Sequence, residues 1–320
     1  MADRTEVLLL TAATHARHRD RIEALDGVHV VEIDTGVTVA PADVAALTMA
    51  FFSHDAWPAL APNFMAVALD APQLRWLHTM SAGVDHPVFQ TFVDRGVRLT
   101  TSSGASAEPI AGTVMMYLLA LSRQLPRLAA AQARHEWAPG RYLDLAGREL
   151  LIVGWGPIGQ AIARLGVALG MHPVIVRRSA RGDEPHPVRP IDQLPDAVRT
   201  AGAVVVAVPL TDDTRGVVDA AVFEAMAADA LFVNVGRGEL VDQTALLEAL
   251  RSGSIGGAGL DVFDPEPLPA DDPLWDAPNT IITPHCSGTT DTTSANVDEL
   301  FFDNLDRLLR GVDLRNEIGR

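Results

Sequence analysis

The feature that most constrains the fold lies mid-chain. Leu150-Leu151-Ile152-Val153 runs directly into Gly154-Trp155-Gly156-Pro157-Ile158-Gly159, and an amphipathic pattern over Ile158–Leu169 follows. A buried strand, a glycine turn and a helix in immediate succession ask something different of each glycine. Gly154 permits the tight turn, Gly156 lets backbone approach a ligand, and Gly159 lets helix and strand pack closely. The helix N-terminus presents free N–H groups and a positive dipole end, which suit phosphate. Alone the glycine spacing is a weak signal. Between a buried strand and a helix, with more strands following, it reads as a dinucleotide site.

The strands expected downstream are Pro173–Val176, Ala203–Val208, Leu231–Val235, Gly257–Asp261 and Thr280–Thr283, with a helix over Gln243–Leu250 among the connections. Near-continuous apolar strands separated by helices specify a parallel sheet buried on both faces. The first hundred residues repeat the alternation less clearly. Glu6–Leu10, Val28–Ile33, Met49–Ser53 and Leu74–Met80 read as strands and Arg17–Leu25 as a helix, but the pattern does not reveal their order. Ala105–Ala133 reads as one or two helices broken near Pro126, and Ser294–Leu309 as the last helix. A chain of 320 residues exceeds one comfortable core, so the expectation is α/β with two domains.

Composition narrows the function. With 48% hydrophobic and 21% charged residues the chain is globular, and no apolar run reaches the roughly 18–20 residues of a bilayer span. Met1-Ala2-Asp3-Arg4-Thr5-Glu6 leads straight into a strand without the features of a signal peptide, so a cytoplasmic protein is expected. A net charge of −16 opposes nucleic acid and anionic membranes as partners. The single cysteine, Cys286, rules out an internal disulfide and a cysteine metal cage, and no metal is expected. All 25 cationic side chains are arginine. Schiff-base chemistry, pyridoxal-phosphate anchoring and the P-loop lysine are therefore excluded.

The strand after the glycine turn distinguishes the two dinucleotides. NAD sites usually carry an acidic residue there for the ribose hydroxyl. Here Val174-Ile175-Val176 ends in Arg177-Arg178-Ser179, with Arg181 close behind. Guanidinium groups and a hydroxyl suit a 2′-phosphate, so NADP(H) is favoured, with NAD(H) the alternative.

Three later segments each end a strand, where open α/β sheets bind ligands. They are Asn234-Val235-Gly236-Arg237-Gly238, Asp261-Val262-Phe263-Asp264-Pro265-Glu266-Pro267, and Thr283-Pro284-His285. Singly, each has an ordinary reading: Arg237 as a turn residue, Glu266 as a loop carboxylate, His285 as a strand cap. Together they supply what hydride transfer to a keto acid requires. A cation holds the carboxylate and polarises the carbonyl, a histidine donates the proton, and a carboxylate orients the imidazole.

At these residues the chain resembles the D-isomer-specific 2-hydroxyacid dehydrogenase family, its glyoxylate and hydroxypyruvate reductases above all. The resemblance rests on Gly154–Gly159, Asn234 through Asp242, Gly257 through Phe263, Pro265-Glu266-Pro267-Leu268 and Thr283-Pro284-His285. It implies reduction of a small 2-keto acid, with Arg237 binding substrate, His285 donating the proton and Glu266 as its partner. Ser81-Ala82-Gly83-Val84-Asp85 looks like the substrate-carboxylate loop, so Ala82, Gly83 and Val84 are expected at substrate. Pro209, Val235 and Asp261 complete the implied cofactor set, Asp261 orienting the nicotinamide amide. The implied architecture is a flavodoxin-like substrate domain, residues 1–103 and 288–320, with a Rossmann dinucleotide-binding domain, 104–287, inserted into it and the active site between them. The resemblance further implies a homodimer, with Leu128–Pro139 and Trp137 as an arm, and no regulatory serine-binding domain at the C-terminus. Glu266 separates the chain from formate dehydrogenases, which carry glutamine there. Cys286 reads as a space-filling thiol. His54, Trp57, Met80 and His86 are candidates for the substrate side-chain pocket or for packing. Two other readings share the fold: a non-enzymatic NAD(P)H-sensing or corepressor-like protein, and an NAD-linked dehydrogenase of a larger D-2-hydroxy acid.

Overall fold

The computed structural model describes residues 5–84 and 86–319, so Asp85 and the first four residues lie outside the described residues. The chain forms two compact units, Met1–Ala105 with Thr290–Arg320, and Ser106–Thr289.

The first unit is built on five parallel strands: β1 (Glu6–Thr11), β2 (Val28–Ile33), β3 (Met49–Phe52), β4 (Trp76–Thr79) and β5 (Arg98–Thr101). Their order is β2-β1-β3-β4-β5. This is the order sequence periodicity left open. β5, Arg-Leu-Thr-Thr, was not among the expected strands because it carries a single apolar residue. The expected Arg17–Leu25 helix is two short ones, Ala12–Arg17 and Arg19–Glu23, parted at His18.

One face of this sheet packs on helices Ala61–Asp70 and Pro87–Asp94 through Phe64, Phe89 and Phe92. The other face receives the last helix, Thr293–Arg310. Its Phe301 ring lies nearly parallel to Phe51 at 4.1 Å and to Trp76 at 5.6 Å. One turn earlier, buried Asp298 accepts from Arg17 Nε at 3.0 Å and pairs with His18 Nε2 at 2.7 Å. The sheet also holds polar groups internally. His78 of β4 is fully buried, Nδ1 on Thr100 Oγ1 at 2.7 Å and Nε2 on Ser102 Oγ at 3.1 Å. Burial pushes its imidazole down to about 3.

The second unit carries seven parallel strands, β6 (Glu149–Val153), β7 (His172–Arg177), β8 (Val188–Pro190), β9 (Ala201–Val206), β10 (Leu231–Asn234), β11 (Gly257–Leu260) and β12 (Thr280–Ile282). Their order is β12-β11-β10-β9-β6-β7-β8. Three-residue β8 escaped the apolar pattern. One face packs on Ala107–Ser122 and Pro157–Ala168, the other on the helices carrying Phe223, Leu246 and Leu250. The long alanine-rich stretch divides at Gln124, whose φ is +52°, rather than at Pro126 itself. Pro126 instead lies in the first turn of Leu125–Ala133, where its missing N–H costs nothing. Beyond that helix, Trp137 is 96% exposed.

The winding reverses between β6 and β9, which places the switch point beside the glycine turn. Gly154 has φ +109°, and a Cβ there would stand 2.6 Å from the Ala207 carbonyl oxygen. A Cβ on Gly159 would stand 2.2 Å from the oxygen of Gly154. At Gly156 a Cβ would meet nothing within 4 Å, so the backbone faces open space. Among the described residues no helix is long and apolar enough to cross a membrane.

Candidate active site

The seven-stranded sheet gathers most of the singled-out residues at one edge. Gly156 caps the helix that begins at Pro157 and Ile158, leaving its first amides for an anion. Arg177 ends β7, with Arg178 and Ser179 following. Pro209 follows β9, its carbonyl held by Thr214 Oγ1 at 2.8 Å, and Val235 follows β10, buried. Asp261, Glu266 and His285 follow β11 and β12.

Asn234, buried at the end of β10, shapes the turn that carries Arg237. Its Oδ1 accepts from Gly236 N–H at 3.0 Å and its Nδ2 donates to the Arg237 carbonyl at 2.9 Å. The next residue has room for no side chain: a Cβ on Gly238 would lie 2.0 Å from the carbonyl carbon of Phe263. The arginine turn is thereby set directly against the loop that bears Glu266. Arg237 Nη1 donates to the Gly236 carbonyl at 2.8 Å.

Glu266 works with both oxygens. Oε1 accepts from Phe263 N–H at 3.0 Å, and Oε2 meets His285 Nδ1 at 2.8 Å. The pair is half-exposed, and it engages the ring through Nδ1. His285 sits at φ +50°, a left-handed conformation costing about 1–3 kcal/mol in a residue with a β-carbon. Its surroundings hold it there. His285 N–H donates to the Asp261 carbonyl at 2.8 Å and the Thr283 carbonyl at 3.1 Å. Asp261, buried, turns its carboxylate on the following residues: Oδ1 accepts from Cys286 N–H at 2.9 Å, and Oδ2 from Ser287 N–H at 3.0 Å. Thr283 Oγ1 also donates to Asp261, and Tyr117 bonds to Thr283. Burial raises the Tyr117 phenol, so it stays protonated.

Asp261 therefore fixes the backbone on which His285 stands, a duty the sequence reading did not assign to it. Tyr117, Thr283, Asn234 and Gly238 were missed as well. Tyr117 left one trace, being one of only two tyrosines, set in a mostly apolar helix. Cys286 contributes its N–H to this scaffold, and its thiol is exposed.

Ala82, Gly83 and Val84 belong to the other unit, where they follow β4 and Ser81 accepts from Ser102 N–H at 3.0 Å. Asp85 lies outside the described residues. Of the pocket candidates there, Met80 packs against the core and His86 caps Pro87–Asp94, its Nδ1 accepting from Val88 N–H at 3.2 Å. Trp57 is 64% exposed. His54 Nδ1 is buried with no hydrogen-bond partner among the described residues, and burial lowers its basicity.

Residues 115–287, more than half the chain, match the family description D-isomer specific 2-hydroxyacid dehydrogenase, NAD binding domain. The chain belongs to this family. It is accordingly an NAD(P)-dependent oxidoreductase acting on CH–OH groups. Among dehydrogenases like it, a glyoxylate/hydroxypyruvate reductase B of Citrobacter koseri is 36% identical over 248 residues, 75% of this chain and 76% of that one. A family member from Aeromonas salmonicida superposes with a TM-score of 0.81 at 33% identity, covering 98% of this chain and 99% of the other. An NADPH-dependent glyoxylate/hydroxypyruvate reductase of Sinorhizobium meliloti, solved with NADP and malonate, gives 0.75 at 26% identity, covering 98% and 97%. The two-unit α/β architecture of this dehydrogenase, with a Rossmann unit for the dinucleotide, is common to these structures.

Proposed function

We propose that this dehydrogenase reduces a small 2-keto acid, glyoxylate or hydroxypyruvate being the type, with NADPH preferred over NADH. The observation that carries the reading is the 2.8 Å pair of His285 Nδ1 with Glu266, at the same sheet edge as the glycine turn and Arg237. The residues suit the dinucleotide: the backbone at Gly156 faces open space, and the helix behind it offers unpaired amides for the pyrophosphate. The tip Arg177-Arg178-Ser179 provides for a 2′-phosphate. Pro209 and Val235 line the nicotinamide end.

NADPH supplies the hydride when bound. Arg237 holds the substrate carboxylate and withdraws electrons from the carbonyl oxygen, with the backbone of Ala82–Val84 as a second carboxylate site. His285 delivers a proton from Nε2 to the oxygen that becomes the alcohol, while Glu266 keeps Nδ1 occupied and the ring oriented. Asp261, through the amides of Cys286 and Ser287, holds that ring in register. Residues 104–287 serve as the cofactor domain, and 1–103 with 288–320 as the substrate domain. The enzyme is cytoplasmic and a homodimer, joined through the segment Leu128–Pro139, whose exposed Trp137 supports such a contact.

The test follows absorbance at 340 nm with glyoxylate, hydroxypyruvate, pyruvate and a bulkier 2-keto acid, each with NADPH and NADH. Fastest turnover of a two- or three-carbon acid with NADPH is expected. Preference for NADH and a bulky acid would replace the reading with an NAD-linked dehydrogenase. Cofactor binding without turnover of any acid would replace it with a sensor.

A further inference from the structure

The tip of β7 presents two adjacent arginines, and their surroundings differ. Arg177 is 22% exposed at its side chain and donates from Nη1 to Glu184 Oε1 at 2.8 Å. Glu184 is itself 4% exposed and returns to the tip from seven residues on. Its Oε1 also accepts from Arg181 N–H at 2.8 Å, and its Oε2 from Gly182 N–H at 2.9 Å. Gly182 has φ +90°, so these two amides line a tight turn closed around the carboxylate. Against the opposing pull of burial, the Arg181 amide foremost holds this carboxyl below the usual glutamate range, helped by the Gly182 amide and by Arg177. The same loop is tied a second time, where the His186 ring meets the Trp155 ring edge-on at 6.0 Å. Trp155 is the residue between the first two glycines of the turn.

Arg178 is different. Its side chain is 75% exposed, and its partner Asp213, at 2.5 Å, is 72% exposed. A pair in that position contributes little and is readily exchanged for a better anion. A half-buried arginine on a carboxylate that two backbone amides also hold is less readily exchanged, because the carboxylate is fixed in place by the turn.

We infer that Glu184 is a positioning residue for cofactor choice. It engages Arg177 as an internal anchor and folds the 181–184 turn, leaving Arg178 with Ser179 to receive the 2′-phosphate. The inference rests on the NADPH reading above and divides the labour at the tip, taking Arg177 out of direct phosphate contact.

The experiment is a pair of double-mutant cycles on the full-length enzyme, read as KM and kcat for NADPH and NADH with glyoxylate. Arg177→Gln strands the Glu184 carboxylate at the tip, and the NADPH-over-NADH preference should fall about tenfold, through KM rather than kcat. Adding Glu184→Gln removes the stranded charge and should bring the preference back within about threefold of wild type. Arg178→Gln should also lose the preference by about tenfold, and there the addition of Glu184→Gln should restore nothing. Failure of the first rescue overturns the inference, since Arg177 would then be a phosphate ligand. Rescue of both overturns it too, since Glu184 would then act only as general charge. Should Arg177→Gln not fold, the Arg177→Gln/Glu184→Gln enzyme decides alone: preference near wild type supports the assignment, and loss of about tenfold or more rejects it. A wild type that prefers NADH rejects the underlying reading and this inference with it. A wild type that prefers NADPH with a failed rescue rejects the inference only.

Discussion

The two sheets are both parallel and both covered on two faces, yet they deploy polar residues in opposite ways. In the seven-stranded sheet β9 and β10 are aliphatic or aromatic until the strand ends, where Asn234 and then Asp261 and Thr283 appear. The five-stranded sheet carries polar groups inside the strands themselves: His78, Thr79, Thr100 and Thr101 are all buried. The larger sheet is also wound from consecutive segments. The smaller one owes its second face to a helix that begins 192 residues after β5 ends. Polar groups at the strand ends hold the turns that carry the candidate site residues, whereas polar groups within strands satisfy one another. The difference separates a sheet that gathers most of the candidate site residues from one completed by a distant part of the chain.

The comparison breaks most visibly at His285. His285→Ala should lower kcat by roughly 10²–10⁴-fold, the usual range for a lost general acid. Titration of NADPH by fluorescence should show its affinity within about twofold of wild type, because in the proposed mechanism the removed ring serves the substrate rather than the dinucleotide. An equal loss of kcat and cofactor affinity would show that the histidine supports the fold of the site instead.

The next effect is structural and belongs to the other sheet. Phe301 is fully buried between Phe51, Trp76 and His78. Phe301→Ala should destabilise the first unit by about 3–5 kcal/mol. Hydrogen exchange should then show β1, β3 and β4 losing protection while β6, β9 and β10 keep theirs. Equal loss in both sheets would erase the distinction between a locally wound unit and one completed from afar.

The legibility of the two units follows the same division. The glycine turn, Arg237, Glu266 and His285 could be read because each lies within a few residues of the strand that presents it. The order of the five strands could not, since local periodicity marks strands without saying which of them lie side by side. β5 was hidden by its polar composition, although Thr100 is buried there as the partner of Trp76 and His78. Glu184 was hidden for a related reason. It appears in the sequence as one acid in a polar loop, and only the folded turn returns it to Arg177. Asp261 was singled out for the cofactor, but its grip on the amides of Cys286 and Ser287 goes with a positive φ at His285 that no spacing announces.

The most gradual expected effect is a slope with pH. His78 is neutral in the folded protein down to about 3, whereas in the unfolded chain it takes up a proton near the ordinary 6.5. Its contribution is therefore fully present above pH 6.5 and is lost as pH falls toward 3. Denaturant titrations of the first unit should show stability declining by about 1.4 kcal/mol per pH unit within that window. His78→Gln should flatten that part of the decline. A slope unchanged in the variant would assign it to carboxylates such as Asp55, which Arg17 and Thr14 hold below the usual range against the larger, opposing effect of burial.

The distance between β5 and the helix Thr293–Arg310 also sets an order of events on the ribosome. The strands that pack on Phe301 are synthesised first, but at about 5–20 residues per second the helix that covers them emerges roughly 10–40 s later. Throughout that interval Phe51 and Trp76 lack the Phe301 ring that stacks on them, while Ser106–Thr289 leaves the exit tunnel as a contiguous stretch able to bury its own core. The unit begun second is thus the one that can be finished first, and the N-terminal sheet spends most of its own synthesis as a client for whatever shields apolar surface in the cell.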